Sequence, residues 1–404
     1  MNIFDIAVIG AGASGLFAGA LIDKKFKTII FEKNLIPGKK LLLTGSGKCN
    51  FTNIENRSKF IQAFGNEGVF LKFALKAFDN NNCIEYFVKR GLNVVTTDDG
   101  RVFPESQRVS DVRDIFLNEI ELQRHLLLKK TILKTIYRYR NHFKIETEKN
   151  TFIAKNIIIC TGGKTYPKTG STGDGYFLAR QFGHKIVPPE PALTPLKIER
   201  FGLKKLAGVT LKGKTVCLYK NKTKRFSEKG DILITHDGLS GPAILNISKY
   251  IRKGDKITIN LSNMDQSQTD KKILELIKKN PKKSIKNVVK LLDIPDELSN
   301  HLCKLSNTPY DKKVSELTGE KRKKLSMYIC ELSFMVKEKY GFEKAMITSG
   351  GISLDDVDPK TMKSLLVDNL YFAGEVLDID GKTGGYNLQA AFSTAFLASR
   401  SISV

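Results

Sequence analysis

The sequence contains no tryptophan, only five histidines, and six cysteines that form no CxxC pair. Scattered cysteines are typical of free thiols in a reducing compartment, so we expect a cytoplasmic protein without a zinc site. No HExxH pattern occurs, and we expect no other metal. No apolar run approaches the length of a transmembrane helix, and only four residues precede the first apolar strand. We therefore expect neither a membrane span nor a signal peptide.

Acidic residues are scarce relative to basic ones: 42 Asp and Glu face 66 Lys and Arg, a net charge of +24. Residues 191–344 hold 33 basic and 17 acidic residues, so this segment, about two-fifths of the chain, carries +16 of the net charge. A lysine-rich solvated surface explains this distribution, and so does a surface that binds a polyanion such as RNA.

Near the start, an apolar strand leads into Gly10-x-Gly12-x-x-Gly15 and a helical pattern, and a second apolar strand ends at Glu32. In this order the elements predict a βαβ unit that binds an adenine dinucleotide. Gly10 permits a tight turn, Gly12 lets the pyrophosphate approach the backbone, and Gly15 lets helix and strand pack closely. Glu32 lies near the position of a ribose-binding carboxylate. The alternative is a glycine-rich turn in an ordinary α/β protein.

A second glycine-acid pair lies near the end of the chain, where an apolar strand leads into Gly374-Glu375. We expect this strand to lie beside the first one, with Glu375 binding the ribityl hydroxyls of a flavin. Gly385 and Asn387 open a helix whose N-terminus would point at the flavin ring. Together with the amino-terminal glycine motif, this pair favours FAD over NAD.

A third glycine-rich segment follows the βαβ unit. Gly45 and Gly47 would let the chain lie flat along a cofactor, and Asn50 would hydrogen-bond its edge or the substrate. Cys49 is a candidate proton donor opposite the flavin, or a structural thiol near it. His236, in a loop after a predicted strand, is a candidate for donating a proton or holding a substrate carbonyl; alternatively it bonds only backbone.

We expect the cofactor-binding residues to come from these segments, from the residues after Glu32 and from the turn after a buried strand at 152–160. They are Gly10, Gly12, Ala13, Ser14, Gly15, Glu32, Lys33, Lys40, Gly45, Gly47, Asn50, Thr161, Gly162, Gly163, Gly374, Glu375, Gly385 and Asn387.

The order of elements indicates one α/β nucleotide domain split by an insertion. We assign residues 1–190 and 345–404 to the nucleotide domain, 191–265 to an inserted β-rich domain and 266–344 to an inserted basic helical domain. Lysine-rich helices are predicted from about 267 to 340. No second GxGxxG occurs in the insertion, so we expect NADH or NADPH, if it is the electron donor, to dock transiently at the open flavin face.

Longer motifs at 38–53, 100–104, 235–242 and 371–389 fall in order along the chain. With them the chain resembles the BaiN/RdsA (YhiN-type) family of FAD-dependent oxidoreductases over nearly its whole length. The resemblance implies an α/β flavoprotein of the two-dinucleotide-binding-domain, Rossmann-like type, with an inserted β-rich and helical region. Members have been linked to reduction of a uracil in 23S ribosomal RNA to dihydrouridine, to steroid-ring reduction in bile-acid metabolism, and to aminoacetone oxidation.

The chain departs from the family pattern at a few positions. Ser46 and Lys48 stand where members usually have Gly and Arg, Ala390 replaces a usual Trp, and Ala395 replaces a usual Gly. The smaller Ala390 leaves less aromatic bulk near the helix that follows Gly385, so this position is a poor guide to the substrate.

Two features of the insertion suit RNA. Phe201, Tyr219 and Phe226 interleave with lysines, which favours base stacking with phosphate contact, although a β-rich core would look the same. Consecutive basic residues on a predicted helix cannot all face a core, so most of them must be solvated. We expect an RNA contact at Lys321, Arg322, Lys323 and Lys324; the alternative is that they only keep the protein soluble.

These observations predict a cytoplasmic FAD-dependent oxidoreductase that transfers hydride from flavin N5 to the C=C bond of a uracil in 23S ribosomal RNA. A nearby acid would protonate the adjacent carbon. One alternative is a small-molecule flavoenzyme, an amine oxidase or ene-reductase. The other is a non-catalytic flavin-bound RNA-binding factor.

Overall fold

The structure is a computed structural model that describes residues 3–402. It divides into two compact units. Of the described residues, 3–191 and 345–402 form unit 1, and 192–344 form unit 2.

The strands alternate with helices in the first and last parts of the chain and dominate the first half of unit 2. In the described residues they are β1 (Ile3–Ile9), β2 (Thr28–Phe31), β3 (Thr52–Asn53), β4 (Val94–Thr96), β5 (Arg101–Pro104), β6 (Leu126–Leu128), β7 (Leu133–Tyr139), β8 (His142–Thr147), β9 (Thr151–Ile159), β10 (Ile186–Ala192), β11 (Leu196–Ile198), β12 (Thr210–Lys220), β13 (Thr223–Ile234), β14 (Gly238–Ser240), β15 (Lys256–Asn260), β16 (Leu332–Lys339), β17 (Ile347–Ile352) and β18 (Leu370–Phe372).

The α-helices are short except for α5, α8 and α12. Over the same residues they are α1 (Ala13–Leu21), α2 (Arg57–Ala63), α3 (Lys72–Ala77), α4 (Asn80–Val88), α5 (Val109–Leu122), α6 (Asp174–Gln181), α7 (Pro242–Ile247), α8 (Gln266–Lys279), α9 (Ile285–Lys290), α10 (Asp296–Leu305), α11 (Gly319–Cys330) and α12 (Tyr386–Ser401).

The main sheet of unit 1 has the order β6-β2-β1-β9-β8-β7, with β18 also paired to β9. Strands β6, β2, β1, β9 and β18 are parallel, whereas β7 and β8 form an antiparallel hairpin on β9. In the register of β1, Val8 lies opposite Ile30 on one side and Ile158 on the other. Strands β1, β2, β9 and β18 are largely buried runs of apolar residues because helices cover the faces of a parallel sheet.

The place of β18 corrects one expectation. We expected the strand before Gly374-Glu375 to lie beside β1, but β18 pairs with β9. Strand β9 is long enough to pair with β1 along one edge and with β8 and then β18 along the other. Because β9 occupies the position beside β1, β18 lies one strand further out.

The core of unit 1 on one face of this sheet is aromatic. Phe17 of α1 lies 5.0 Å, centroid to centroid, from both Phe78 and Tyr86, and 5.2 Å from Phe392 of α12. Phe116 of α5 lies 5.5 Å from Phe17. Tilted and edge-on rings at these distances bury large apolar areas and add a favourable quadrupole interaction. The cluster therefore positions α1, whose N-terminus lies within the glycine motif.

Unit 2 contains a closed antiparallel barrel of order β11-β14-β13-β12-β15-β16. Barrel side chains such as Val216 and Ile257 share one hydrophobic cluster with helix side chains such as Ile273, Leu302 and Leu325. The division of the insertion into a β-rich and a helical domain stays a prediction, but the two parts bury one common core.

Two details of the insertion differ from the sequence prediction. Helices were expected to about residue 340, but β16 occupies Leu332–Lys339 and closes the barrel. Its buried and exposed residues alternate, with Leu332, Phe334 and Val336 inside, which is the period of a strand and was missed among the lysines. Likewise, the sequence pattern predicts two separate strands, Val209–Leu211 and Thr215–Tyr219, whereas the structure has the single strand β12 over Thr210–Lys220. The predicted α/β fold class with its Rossmann-like sheet and inserted region is otherwise confirmed.

Candidate dinucleotide-binding site

The candidate site of unit 1 lies at the carboxyl edge of the main sheet. Because β1, β2, β9 and β18 are parallel, the segments that follow them emerge at the same edge. Those segments contain the glycine motif, Glu32, Thr161–Gly163 and Gly374-Glu375. This edge is where open α/β sheets bind their ligands.

The three glycines of the first motif differ in what a side chain would meet. A Cβ at Gly10, whose φ is +96°, would lie 2.9 Å from the carbonyl oxygen of Cys160. A Cβ at Gly15 would overlap the carbonyl of Gly10, so both glycines are required by packing. At Gly12, by contrast, a Cβ would meet no atom within 4 Å. The space above Gly12 is therefore open, as close approach of a pyrophosphate requires.

Helix α1 begins directly after this open position. Gly12 is its N-cap residue, and no side chain caps its first N–H groups. Ala13, Ser14 and Gly15 form its first turn, where free N–H groups and the positive end of the helix dipole favour phosphate. Glu32 supports this turn, because its Oε2 accepts the Ala11 N–H at 3.0 Å.

The Glu32 carboxylate also organises the residues after β2. Its Oε1 accepts the backbone N–H of Asn34 at 2.8 Å and the Asn34 side chain at 2.7 Å. Lys33 extends to the start of α6, where its Nζ lies 2.6 Å from both Thr172 Oγ1 and Asp174 Oδ2. These contacts hold the segment after β2 against the segment after β9.

Glu375 lies at the centre of a polar network. Lys40 Nζ contacts its carboxylate oxygens at 2.7 and 2.9 Å, and the two side chains are each 23% exposed. The same carboxylate accepts the Thr348 N–H at 3.0 Å and the Thr165 hydroxyl at 3.2 Å. The structure thus brings together Lys40 and Glu375, two predicted site residues that are 335 positions apart in sequence.

Gly374, which precedes Glu375, needs to be glycine. Its φ is +79°, and a Cβ there would lie 2.5 Å from Ser14 Oγ in the first turn of α1. Its N–H donates to Thr394 Oγ1 of α12 at 2.9 Å. Gly374 therefore allows the segment after β18 to approach the start of α1.

The turn after β9 is also close-packed. A Cβ at Gly163 would clash with Thr348 and with the Glu375 carboxylate, and the Gly163 carbonyl accepts the Ser171 hydroxyl at 3.0 Å. Gly162 has φ of +71°, a conformation that favours glycine. The Thr161 hydroxyl is buried without a hydrogen-bond partner among the described residues.

The segment from Gly45 to Asn50 packs against the start of α12. Gly45 and Gly47 have φ of +56° and +89°, and nothing lies within 4 Å of a Cβ built at Gly47. With its amide oxygen toward the Gly385 N–H at 2.9 Å, Asn50 donates to the Thr52 carbonyl at 2.9 Å. A Cβ at Gly385 would clash with that same Thr52 carbonyl.

The Asn387 side chain is hydrogen-bonded to the turn before α12. Its Oδ1 accepts the Gly381 N–H at 2.8 Å, and its Nδ2 donates to the carbonyls of Gly381 and Lys382 at 3.0 and 3.1 Å. Its predicted contact with the cofactor stays a prediction.

The two predicted catalytic residues lie in different units. Cys49, in unit 1, is 0% exposed, and burial raises the pKa of its thiol to about 12. At neutral pH the thiol keeps its proton, and its burial favours the structural alternative. His236, in unit 2, is exposed between β13 and β14. Its neighbour Asp237 accepts the Tyr340 hydroxyl at 2.6 Å, which anchors the loop. Both catalytic roles stay predictions.

The four basic residues of the predicted RNA cluster on α11 are not equally free to contact a ligand. Arg322 forms a two-point ion pair with Asp270 of α8 at 2.8 and 3.1 Å, with its side chain 17% exposed. Lys323 and Lys324 are exposed, whereas Lys321 is half-buried. Arg322 therefore joins two helices, and RNA contact by the cluster stays a prediction.

Three features of this site fit a dinucleotide such as FAD. The open position at Gly12, the uncapped start of α1, and the partnerless Thr161 hydroxyl at the same sheet edge suit a dinucleotide. Sequence reasoning missed Thr165 and Thr348, which hold Glu375; Thr348 lies 27 positions before Glu375 and belongs to no motif.

Across residues 3–402, no group of three or more His, Cys, Asp or Glu side chains could hold a metal ion. No helix in that part of the chain is long and apolar enough to cross a membrane.

Comparison with known proteins gives the family. The model of the HI0933-like protein Rossmann domain matches residues 4–401. The ribosomal RNA dihydrouridine synthase of Haemophilus influenzae is 30% identical over 404 residues, 98% of each chain. The 3-dehydro-bile acid delta(4,6)-reductase of Clostridium scindens is 30% identical over 406 residues, again 98% of each chain.

A solved structure with a similar fold is the 3-ketosteroid-delta4-(5alpha)-dehydrogenase of Rhodococcus jostii in complex with 4-androstene-3,17-dione. It is 11% identical, with 99% of this chain and 95% of that chain covered at a TM-score of 0.52, and it supports the fold alone. The family match spans nearly the whole chain, so the resemblance predicted from the motifs is confirmed. The protein belongs to the HI0933-like Rossmann family and is an FAD-dependent oxidoreductase.

Proposed function

We propose that this protein reduces the C=C bond of a uracil in 23S ribosomal RNA and thereby forms dihydrouridine. The observation that carries the proposal is the charge of unit 2, because residues 192–344 include 33 basic and 17 acidic residues. This charge occurs in a chain that is 30% identical to a ribosomal RNA dihydrouridine synthase. An excess of +16 suits a polyanionic substrate and is unnecessary for a small apolar one.

Unit 1 would hold the FAD. The pyrophosphate would lie over Gly12 at the start of α1, and Glu32 would accept hydrogen bonds from the adenosine ribose. Glu375, oriented by Lys40, would accept from the ribityl hydroxyls, while Gly385 would let the flavin approach α12. FAD, when bound, supplies the hydride, with NADH or NADPH as the proposed transient source of electrons.

Three further glycines would contribute through the side chains that they lack. Gly45, Gly47 and Gly162 have positive φ, and their lack of side chains would leave room beside the isoalloxazine or the ribityl chain. Lys33 would keep its ion pair with Asp174 and so hold the segment after β9 in place.

Reduction of uracil also needs a proton at the carbon next to the one that receives hydride. Cys49 and His236 are the proposed sources of that proton. Cys49 would have to become exposed to the substrate, because its thiol is buried in the core of unit 1. His236 is already exposed to solvent, so its imidazole could reach a substrate without rearrangement of a core.

The decisive experiment is nucleoside mass spectrometry of ribosomal RNA from a strain that lacks this gene. We expect one dihydrouridine to disappear and to return on complementation with the wild-type gene but not with a Gly12→Val gene. Unchanged dihydrouridine in the deletion strain would refute the RNA substrate.

A second candidate is a small-molecule reductase, favoured by the equally similar bile acid reductase. Its test is anaerobic oxidation of the reduced holoenzyme by an unsaturated 3-ketosteroid. Rapid flavin reoxidation by the steroid, together with unchanged ribosomal dihydrouridine, would establish this second function instead.

A further inference from the structure

One end of the barrel in unit 2 carries a protruding basic hairpin. We define the basic ribbon as residues 219–227, where β12 turns into β13. Every residue from 221 to 227 is exposed, although β12 and β13 bury alternate side chains further along, such as Val216 and Ile232. A hairpin exposed on both faces extends beyond the barrel wall and contributes little to the core.

A loop of the same unit flanks the ribbon. Tyr219 pairs with Lys256 in the β12–β15 register, so residues 249–256 lie at the same end of the barrel. Together, residues 219–227 and 249–256 contain eight basic residues and one acidic residue, Asp255. Asp255 lies 3.8 Å from Lys220, whereas Lys222, Lys224 and Arg225 have no ion-pair partner among the described residues.

Two aromatic rings are stacked on this surface. Phe226 and Tyr250 have ring centroids 4.0 Å apart and ring planes 14° apart. Phe226 is 37% exposed, and Lys249 Nζ lies 5.3 Å from the Tyr250 centroid. A stacked pair of rings at the surface offers an exposed aromatic surface on which a further planar group can stack. Cations that can bind phosphate lie beside it.

The tip of the ribbon is a lysine in an unfavourable conformation. Asn221 and Lys222 have φ of +50° and +63°, as in the two-residue hairpin turn in which glycine is preferred at the second position. A lysine there costs stability that glycine would not cost. The chain therefore keeps a cation at the tip against the local backbone preference.

We propose that the basic ribbon binds the single-stranded part of an RNA, with Phe226 stacking on an unpaired base and Lys222, Lys224 and Arg225 contacting phosphates. This inference rests on the proposed function for the identity of the partner and assigns the contact to the ribbon, a surface outside the α11 cluster predicted from the sequence. RNA fits better than a lipid or an apolar protein surface, because Phe226 is the exposed apolar side chain of the ribbon and basic residues surround it.

The test measures affinity of the full-length holoenzyme for a single-stranded uridine-rich RNA oligonucleotide at several salt concentrations. The ribbon variant is Lys222→Gly, Lys224→Gln and Arg225→Gln. The control, Lys278→Gln, Lys279→Gln and Lys282→Gln, removes the same charge from exposed lysines in the last turn of α8 and just after it. Each lost phosphate contact lowers the slope of log affinity against log salt by about 0.7, so the ribbon variant should lose about 2.

The expected result is weaker binding and a lower slope in the ribbon variant, with the control close to wild type. Phe226→Ala should weaken binding about 5-fold to more than 100-fold without changing the slope, because a lost stacking contact releases no counterions. Lys222→Gly alone should weaken binding while the melting temperature stays equal or rises, which a purely structural role would not produce.

Equal affinity in wild type and ribbon variant, or equal losses in ribbon and control variants, would overturn the assignment. So would binding of anionic phospholipid vesicles without binding of RNA. The proposed function is tested separately by ribosomal dihydrouridine. If dihydrouridine depends on the gene but the ribbon variant binds RNA normally, only the ribbon inference fails; if the ribbon binds RNA but dihydrouridine is unchanged, only the proposed function fails.

Discussion

At the scale of single residues, the glycine motif illustrates two different needs for glycine. Gly10 and Gly15 are required by protein packing, since their missing Cβ atoms would overlap backbone carbonyls. Gly12 is different, because a Cβ there would point into open space and its φ is −82°. The motif therefore contains two glycines that preserve the fold and one, Gly12, whose small size would serve the proposed ligand.

Gly12→Val should leave the protein folded and abolish FAD binding, because the branched side chain would occupy the proposed pyrophosphate position. The measurements are the flavin absorbance of the purified protein and its circular dichroism. Gly15→Val is the matched contrast, since its side chain would overlap the Gly10 carbonyl and should prevent folding. A Gly12→Val protein that binds FAD normally would remove the pyrophosphate from this position.

Cys49→Ala tests the predicted proton donor. We expect FAD binding to persist and product formation to fall less than about tenfold, because the buried thiol is placed to fill the core. General acids typically contribute ~10²–10⁴-fold, so a loss of that size with flavin reduction intact would establish Cys49 as the donor. His236→Gln is the parallel variant for the exposed candidate.

Cys49→Ala should also change how the melting temperature depends on pH. Burial raises the pKa of the Cys49 thiol from 9.0 to about 12. Above pH 9 the unfolded chain loses this proton while the folded chain keeps it, so unfolding becomes more favourable as pH rises toward 12. The melting temperature of Cys49→Ala should therefore fall less steeply over this range than that of wild type.

At the scale of elements, ion pairs decide which basic residues are free to bind a ligand. Helix α11 has four consecutive basic residues, yet Arg322 is held by Asp270 of α8 in a geometry that uses two nitrogen–oxygen contacts. Such fork-like pairs are stronger and more directional than single contacts. Charge reversal of the whole cluster would therefore disturb the packing of α11 on α8 as well as any RNA contact.

Arg322→Gln should lower the free energy of unfolding by about 1–3 kcal/mol, because it leaves the partly buried Asp270 carboxylate without its partner. Lys324→Gln, on the exposed face of the same helix, should change it by less than about 0.5 kcal/mol. Denaturant titration measures both. If the two variants are equally stable, the ion pair does not hold the helices together.

At the scale of the whole molecule, each unit has its own hydrophobic cluster. Unit 2 is one continuous stretch of chain, and its two ends meet within the unit. The Tyr340 N–H donates to the Pro195 carbonyl at 3.1 Å, and Thr194 donates its hydroxyl proton to the Tyr340 carbonyl at 3.0 Å. A continuous segment with its own core and adjoining ends has the properties of an independently folding domain.

Residues 192–344 expressed alone should therefore fold and unfold in one cooperative transition. Circular dichroism during heating and the dispersion of amide proton resonances measure this directly. The fragment should contain no flavin, whereas unit 1 with a short glycine-serine linker in place of these residues should retain it. A fragment without cooperative unfolding would mean that the barrel needs unit 1.

Local patterns in the sequence are sufficient for the glycine motifs and the buried strands of the main sheet. They also suffice for helices such as α5, because the apolar spacing predicts a helix over Val109–Leu122 and the structure has those same bounds. Turn geometry, helix starts and apolar period depend on neighbouring residues, so they can be recognised without knowing the fold. The missed strand β16 shows the limit, because its short alternation lies among lysines that also suit a helix.

Contacts between distant segments were decided only by the tertiary structure. Three examples depend on which segments meet in space. They are the pairing of β18 with β9, the network that joins Lys40 to Thr348 through Glu375, and the ion pair between Arg322 and Asp270. Likewise, Phe201 is buried and Phe226 is exposed, although both occur among lysines in the sequence. Residue type determines what a side chain can bind, whereas the packing of remote segments determines whether it is still free to bind it.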